Sequence, residues 1–330
     1  MMICSRAPTR ISFAGGGTDI PEIARITGGC VTSAAISRYV HATLKERDGK
    51  TRIHSIRLDG AEAFLEIDSK ISYDGNLDLV KSVVEELGGG RAFDITITSN
   101  VPEHSGLGAS ASAYAALIAL FNSYYDLGLS KKDIAELSFK LETTKLKNKV
   151  GKQDQYAACY GGLNFMEFSK DMKVNVSAVK TSASTLAGLE KDIALLYVAK
   201  RQKTAGEVIE SQKKSFKKEE FLVTKELGAK ARIALEKNDL EAFGSVMSEV
   251  WGHKKRFSAE TTTPLIEKMH RTAIENGAYG GKISGAGGGG CGFWFCRPGT
   301  KTKVVAALVK LGAQPLDFKF DFEGVKAWKI

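Results

Sequence analysis

The sequence predicts an α+β chain, and three observations carry that expectation. Short apolar runs bounded by turns crowd the first hundred residues, amphipathic helical segments dominate the second half, and apolar strands return near the carboxy terminus. Strands and helices therefore follow in mixed order, not in the steady alternation of a doubly wound sheet.

The early strands are CVTSAAI (residues 30–36), VHATLKE (40–46), AFLEI (63–67) and FDITITS (93–99). A Gly-rich turn follows in VPEHSGLGASAS (101–112), and Ala113, Ala116, Leu117, Leu120, Phe121 and Tyr124 then repeat at helical spacing as one apolar stripe. Ser130 and Asp133 form a capping pair for a second helix over about 131–146, with Ile134, Leu137 and Leu141 facing inward. After the loop KNKVGKQ (147–153) come a strand at 163–168, a polar Ser-rich stretch to about 184, and a strand at 192–198. The Ser-rich stretch marks the domain junction, giving domains 1–170 and 171–330. Further on, Leu240, Phe243, Met247, Val250 and Trp251 share a helical face, and Thr263 with Pro264 opens a helix that Gly277 ends. FWFC (293–296) and the closing FKFDFEGVKAWKI (318–330) read as strands.

A chain of 330 residues with 43% apolar content has enough material for about two domains with real cores. The first thirty residues lack a long apolar h-region, and no run of about 18 apolar residues occurs, which points to a cytoplasmic protein without a membrane span. Five cysteines without a CxxC pair and five histidines without HExxH spacing imply reduced thiols and no zinc site. The net charge of +9, from 47 basic and 38 acidic residues, is spread among acidic neighbours, as in SFKKEEF and LEKNDLEAF. Such charge suits the attraction of anionic substrates better than a nucleic-acid-binding stripe.

Three remote glycine clusters carry the functional signal: PTRISFAGGGTD (8–19), SGLGAS (105–110) and KISGAGGGGCG (282–292). In the second, Gly106 and Gly108 can adopt backbone angles closed to other residues, so that N–H groups and the dipole of the following helix converge on one anion. Neither a GxxxxGK[ST] loop nor the HRD and DFG elements of protein kinases are present, which leaves a different phosphoryl-transfer architecture.

These residues resemble the GHMP small-molecule kinases, named for galactokinase, homoserine kinase, mevalonate kinase and phosphomevalonate kinase. Pro102, Gly106, Leu107, Gly108, Ser110 and Ala111 match the family's PxxxGLGSSA loop, with Ala109 in place of its first serine. The amino-terminal cluster is similar to PGRVNLIGEHTD of galactokinases, except that Gly16 and Gly17 replace Glu and His, which argues against galactose. Within the family, GGGTD together with GKQDQYAACYGGLNF (151–165) looks most like the kinases that phosphorylate the anomeric hydroxyl of D-glycero-D-manno-heptose 7-phosphate. Other sugars or a mevalonate-like alcohol remain alternative acceptors, and a nucleic-acid-binding module is a remote one.

The resemblance implies an amino-terminal domain like the second domain of ribosomal protein S5, a ferredoxin-like carboxy-terminal domain, and a cleft between them. It implies ATP and magnesium as cofactors, and a monomer or homodimer that binds ATP and a phosphorylated sugar. Asp154 matches the catalytic base, and Arg10 the basic residue facing it. Glu103, His104, Ser105, Gly106, Leu107, Gly108, Ala109 and Ser110 would form the ATP loop, with Gly285 and Gly287 closing on it. Ser110 and Glu142 would supply hard oxygen ligands to magnesium. Gly17, Thr18 and Asp19 would meet the sugar hydroxyls, and the basic cluster Lys200, Arg201 and Lys203 the distal phosphate.

Overall fold

The computed structural model describes residues 1–67 and 71–330. Its first sheet is built on a pair of long antiparallel strands, β1 (Met2–Ala14) and β2 (Gly29–Arg47), joined through helix α1 (Pro21–Thr27). The sequence splits β2 into two expected strands, 30–36 and 40–46. The chain instead runs through the polar step at Ser37 and Arg38, where a register shift at Pro8/Thr9 of β1 absorbs the irregularity.

At 19 residues, β2 is long enough to change partner along its length. Its second half pairs with β5 (Ala92–Ser99), which lies parallel to β3 (Thr51–Ile56); β3 in turn pairs with β4 (Glu62–Ile67). Its first half pairs with β6 (Leu163–Phe168), which forms a hairpin with β7 (Val174–Ala178). Helices α2 (Asp78–Leu87), α3 (Ala109–Tyr125), α4 (Lys131–Thr144) and α5 (Gln153–Tyr160) complete this half.

Helix α3 is more than an amphipathic stripe. Residues 111–121 are all buried, because the sheet lies beneath it and α2, α4 and α5 flank it. Its many alanines allow that close approach. The capping box of α4 forms as expected: Ser130 N donates to Asp133 Oδ2 at 2.9 Å, and Asp133 N to Ser130 Oγ at 3.2 Å.

The second half holds helices α6 (Ala183–Asp192), α7 (Ala205–Lys214), α8 (Lys218–Glu236), α9 (Leu240–Lys254), α10 (Pro264–Glu275) and α11 (Lys301–Val309), and strands β8 (Ile193–Ala199), β9 (Ala278–Ile283), β10 (Gly290–Cys296) and β11 (Gln314–Pro315). The four strands form an antiparallel sheet in the order β11-β8-β10-β9. In chain order this is β-α-β-β-α-β with the first and third strands central, the ferredoxin-like arrangement.

Two departures concern the domain limits. A cut at residue 170 would separate β6 from its hairpin partner β7. The closing segment forms a strand only at β12 (Lys326–Lys329), which pairs with β1 at the edge of the first sheet rather than joining the second. The rest of 318–330 is irregular; it buries Phe320 and Val325 in the cores and makes one bridge, Phe320 to Ile36.

The halves share a core. Phe13 of β1 meets Phe243 of α9 edge to face at 5.3 Å between ring centroids, and Phe293 of β10 at 6.0 Å. Leu227 and Ala231 of α8 and Met247 of α9 bury the same face of β1 and β2. Apolar burial on this scale fixes the cleft walls against each other.

Candidate active site

The start of α3 and the end of β1 meet at one point. Gly108 is the N-cap of α3 at φ +83°, and Gly106 lies two residues earlier at φ +73°, both in the left-handed region. Leu107 between them is fully buried and anchors the loop in the core. Arg10 N donates to Leu107 O at 3.0 Å, and Arg10 Nη1 to Gly106 O at 2.7 Å. The same guanidinium forks onto the carboxylate of Asp154 in the first turn of α5, with Nε at 2.8 Å and Nη2 at 2.5 Å from Oδ1. That carboxylate packs on the start of α3, its Oδ2 lying 3.2 Å from where a Cβ on Gly108 would stand.

The third glycine cluster closes the cradle. A Cβ on Gly106 would lie 2.6 Å from Ser284 O, and one on Gly285 would lie 2.9 Å from Gly106 O, so only glycine lets the two loops touch. Cys291 N donates to Ser105 O at 2.7 Å and fastens the contact. Lys254, the last residue of α9, supports it from behind, donating to Ile283 O at 3.0 Å and Gly285 O at 2.5 Å.

The first cluster forms the opposite wall. Asp19 accepts from Gly17 N at 2.9 Å, Gln153 N at 3.1 Å and Gln153 Nε2 at 3.0 Å, which locks the GGGTD turn onto the start of α5. Burial raises its pKa, and the neighbouring Asp154 charge adds to that. All three clusters thus line one cavity of about 510 Å³, through Gly16 and Gly17, Gly106 and Gly108, and Gly285.

Beside this point, Ser110 Oγ donates to Glu142 Oε1 at 2.7 Å, and Gln155 Nε2 to Glu142 Oε2 at 2.9 Å. Burial pushes the Glu142 pKa up, Asp154 reinforces the shift, and the bonds from Ser110 and Gln155 oppose it. A buried carboxylate and a hydroxyl at the mouth of an anion cradle are a donor set that fits magnesium, which takes hard oxygens and retains waters. Among the described residues no cluster of three or more His, Cys, Asp or Glu side chains could hold a metal, so nucleotide oxygens and water would complete such a site.

Basic side chains crowd the rear of the cleft, where burial works against their charged forms. Burial pushes the Lys254 pKa down to about 7, with Arg10 and Arg201 adding to the shift and Asp19 and Asp154 opposing it. Lys282 is lowered in the same direction, first by burial and then by Lys254 and Arg10. A polyanionic ligand would relieve the repulsion among these basic groups and favour their protonation.

Several expected residues lie elsewhere. Glu103 is exposed and pairs with Arg57 at 2.6 Å, outside the cavity. Leu107 serves the core rather than a ligand, and Gly287 packs against Thr261. Thr18 is buried and spends its hydroxyl on Gly15 O at 2.7 Å and Cys30 O at 3.1 Å, so it shapes the turn instead of facing the cavity. The basic cluster splits: Arg201 lines the cavity, whereas Lys200 is exposed and Lys203 pairs with Glu260. His104, Ser105, Ala109 and Ser110 do line it. Sequence reasoning missed Lys254, Gln153 and Gln155. The two glutamines flank Asp154 in GKQDQ and were within reach of that motif, but Lys254 sits in the run HKKR, which reads as a solvated surface.

A helix-start anion cradle faced by an arginine-clamped carboxylate, in a cleft between two layers, is the construction of a phosphoryl-transfer enzyme. The model of the GHMP kinases N terminal domain matches residues 77–162, and that of the GHMP kinases C terminal domain residues 231–314. The chain is 34% identical over 340 aligned residues to the D-glycero-alpha-D-manno-heptose 7-phosphate kinase of Campylobacter jejuni, covering 99% of both chains. Among solved structures, a D-glycero-D-manno-heptose 1-phosphate kinase from Bacteriodes thetaiotaomicron superposes with a TM-score of 0.83 at 28% identity, covering 99% of each chain. A putative sugar kinase from Campylobacter jejuni does so with a TM-score of 0.79 at 32% identity, over 100% of this chain and 98% of that one. The chain belongs to the GHMP kinases, and as a member it is an ATP-dependent kinase acting on a hydroxyl group.

Proposed function

We propose that the enzyme transfers the γ-phosphoryl group of ATP to the anomeric hydroxyl of D-glycero-D-manno-heptose 7-phosphate, giving the 1,7-bisphosphate for nucleotide-activated heptose synthesis. The Arg10–Asp154 pair poised over the start of α3 is the observation that carries the chemistry. The full-length similarity to a kinase named for this sugar phosphate supports the choice of acceptor.

Asp154 accepts the proton of the anomeric hydroxyl while that oxygen bonds to the γ-phosphorus and the bond from phosphorus to the β–γ bridging oxygen breaks, releasing ADP. Arg10 holds the carboxylate in place and offers positive charge to the transferring oxygens. Amides at the start of α3 receive the nucleotide phosphates. Ser110 and Glu142 would hold magnesium, which when bound neutralises charge on those phosphates. Asp19 and the Gly17 turn shape the sugar side of the cavity. Among the described residues no helix is long and apolar enough to cross a membrane. ATP and sugar phosphates are cytoplasmic metabolites, so the proposed reaction belongs to the cytoplasm, with the enzyme as a monomer or homodimer.

Mg-ATP turnover on a panel of phosphorylated and unphosphorylated sugars, mevalonate and phosphomevalonate tests this reading. Heptose 7-phosphate is expected to give the highest kcat/KM, with phosphate added at C1; a higher value for an unphosphorylated sugar or for mevalonate would replace the acceptor assignment.

A further inference from the structure

One wall of the cleft carries a second helix start. Helix α7 opens with a capping box in which Thr204 N donates to Glu207 Oε2 at 2.7 Å and Glu207 N to Thr204 Oγ1 at 3.3 Å. This leaves the amides of Ala205 and Gly206 without an intrahelical acceptor, and both residues line the cavity.

Arg201 stands between this wall and the phosphate loop: it lines the cavity, and its Nη2 lies 3.1 Å from where a Cβ on Gly106 would stand. It is only 6% exposed, and its Nε and Nη2 are buried without a hydrogen-bond partner among the described residues. The groups acting on it are Tyr197, Arg10 and Cys291, with no carboxylate among them. A guanidinium buried in this way costs stability unless a ligand neutralises it, and its positive charge suits the dianion of a phosphate monoester.

Position decides which phosphate this is. The nucleotide already has the start of α3, clamped by Arg10. The wall formed by α7 continues through Ile209 and Phe257, which pack with Ile20 next to Asp19 on the acceptor side of the cavity. We propose that Arg201 and the amides of Ala205 and Gly206 bind the phosphate ester that the acceptor carries at the end remote from its reacting hydroxyl. The inference rests on the acceptor being a phosphorylated sugar, as the proposed function holds.

The test uses the whole enzyme saturated with Mg-ADP, so that the nucleotide's own phosphate sites are filled. Binding of heptose 7-phosphate and of unphosphorylated heptose is measured by calorimetry, and KM for ATP is measured in parallel. Wild type is expected to prefer the phosphorylated sugar by on the order of 100-fold or more. Arg201→Gln should erase that preference, with at most a smaller rise in KM for ATP, since Nη2 also lies beside Gly106. Ala205→Pro removes one amide at the first helical position, where proline is accommodated, and should weaken the preference in part without unfolding the protein. If another sugar phosphate proves to be the acceptor and Arg201→Gln erases its preference, the heptose assignment fails and the phosphate site stands. An unaltered preference in both variants overturns the site, and so does a loss confined to KM for ATP. An acceptor without phosphate overturns both.

Discussion

Asp154 is held from two directions, by the Arg10 fork and by the start of α3, so its carboxylate has one place to be. Asp154→Asn retains the shape and removes the proposed proton acceptor. Turnover is expected to fall roughly 10²–10⁴-fold with ATP affinity unchanged, as measured by steady-state kinetics and nucleotide titration. A second expectation concerns Lys254, whose pKa burial lowers from 10.5 to about 7. The unfolded chain binds this proton between those two values and the folded chain does not, so ligand-free stability rises with pH across that window, and the penalty is complete below it. A triphosphate bound beside the amine favours its charged form. Binding of ATP at pH 8 should therefore draw a proton from solvent, seen as a dependence of calorimetric enthalpy on the ionisation enthalpy of the buffer, and Lys254→Met should reduce that uptake.

At the scale of elements, the close approach of the second and third glycine clusters is the structural requirement. Gly106→Ala would force a left-handed residue to carry a Cβ 2.6 Å from Ser284 O. The cost is expected to be about 1–3 kcal/mol, seen as a lower denaturation midpoint, together with a raised KM for ATP. Those clusters were legible in the sequence because glycine at such density has a local backbone cause. So were the caps of α4 and α10, since Ser130, Asp133 and Thr263 act within one helical turn. The unity of β2 was not legible, because the bulge at Ser37 and Arg38 is held by residues remote in sequence: Ser37 N donates to Lys319 O at 2.8 Å, and Thr9 Oγ1 to Arg38 O at 2.9 Å. Residues of the phosphate loop were over-read for a similar reason: the motif gives positions, but whether Glu103 turns to Arg57 or Leu107 turns to the core depends on the neighbours each one meets.

For the whole molecule, charge and topology act together. The net charge of +9 and the arginines lining the cleft, Arg10 and Arg201, draw anionic substrates in from a distance. Raising ionic strength should lower kcat/KM for both substrates and leave kcat almost unchanged, because screening acts on encounter and not on the contacts inside the cavity. The partition of the chain was less legible than its chemistry. Composition marks the Ser-rich stretch after β6, yet β7 folds back onto β6 as a hairpin within it and β12 pairs with β1, a strand remote in sequence, which leaves no trace in local sequence. Lys254 belongs here too, since its burial comes from packing the end of α9 against the glycine hairpin.

The proposed centre for phosphoryl transfer is formed by three glycine loops and Asp154. A crystal structure with a non-hydrolysable ATP analogue, magnesium and heptose 7-phosphate addresses this directly. The γ-phosphate is expected at the start of α3, facing Arg10, with the anomeric oxygen within about 3 Å of an Asp154 carboxylate oxygen. A nucleotide whose phosphates lie away from Gly106 and Gly108, or an acceptor hydroxyl out of reach of Asp154, would refute it.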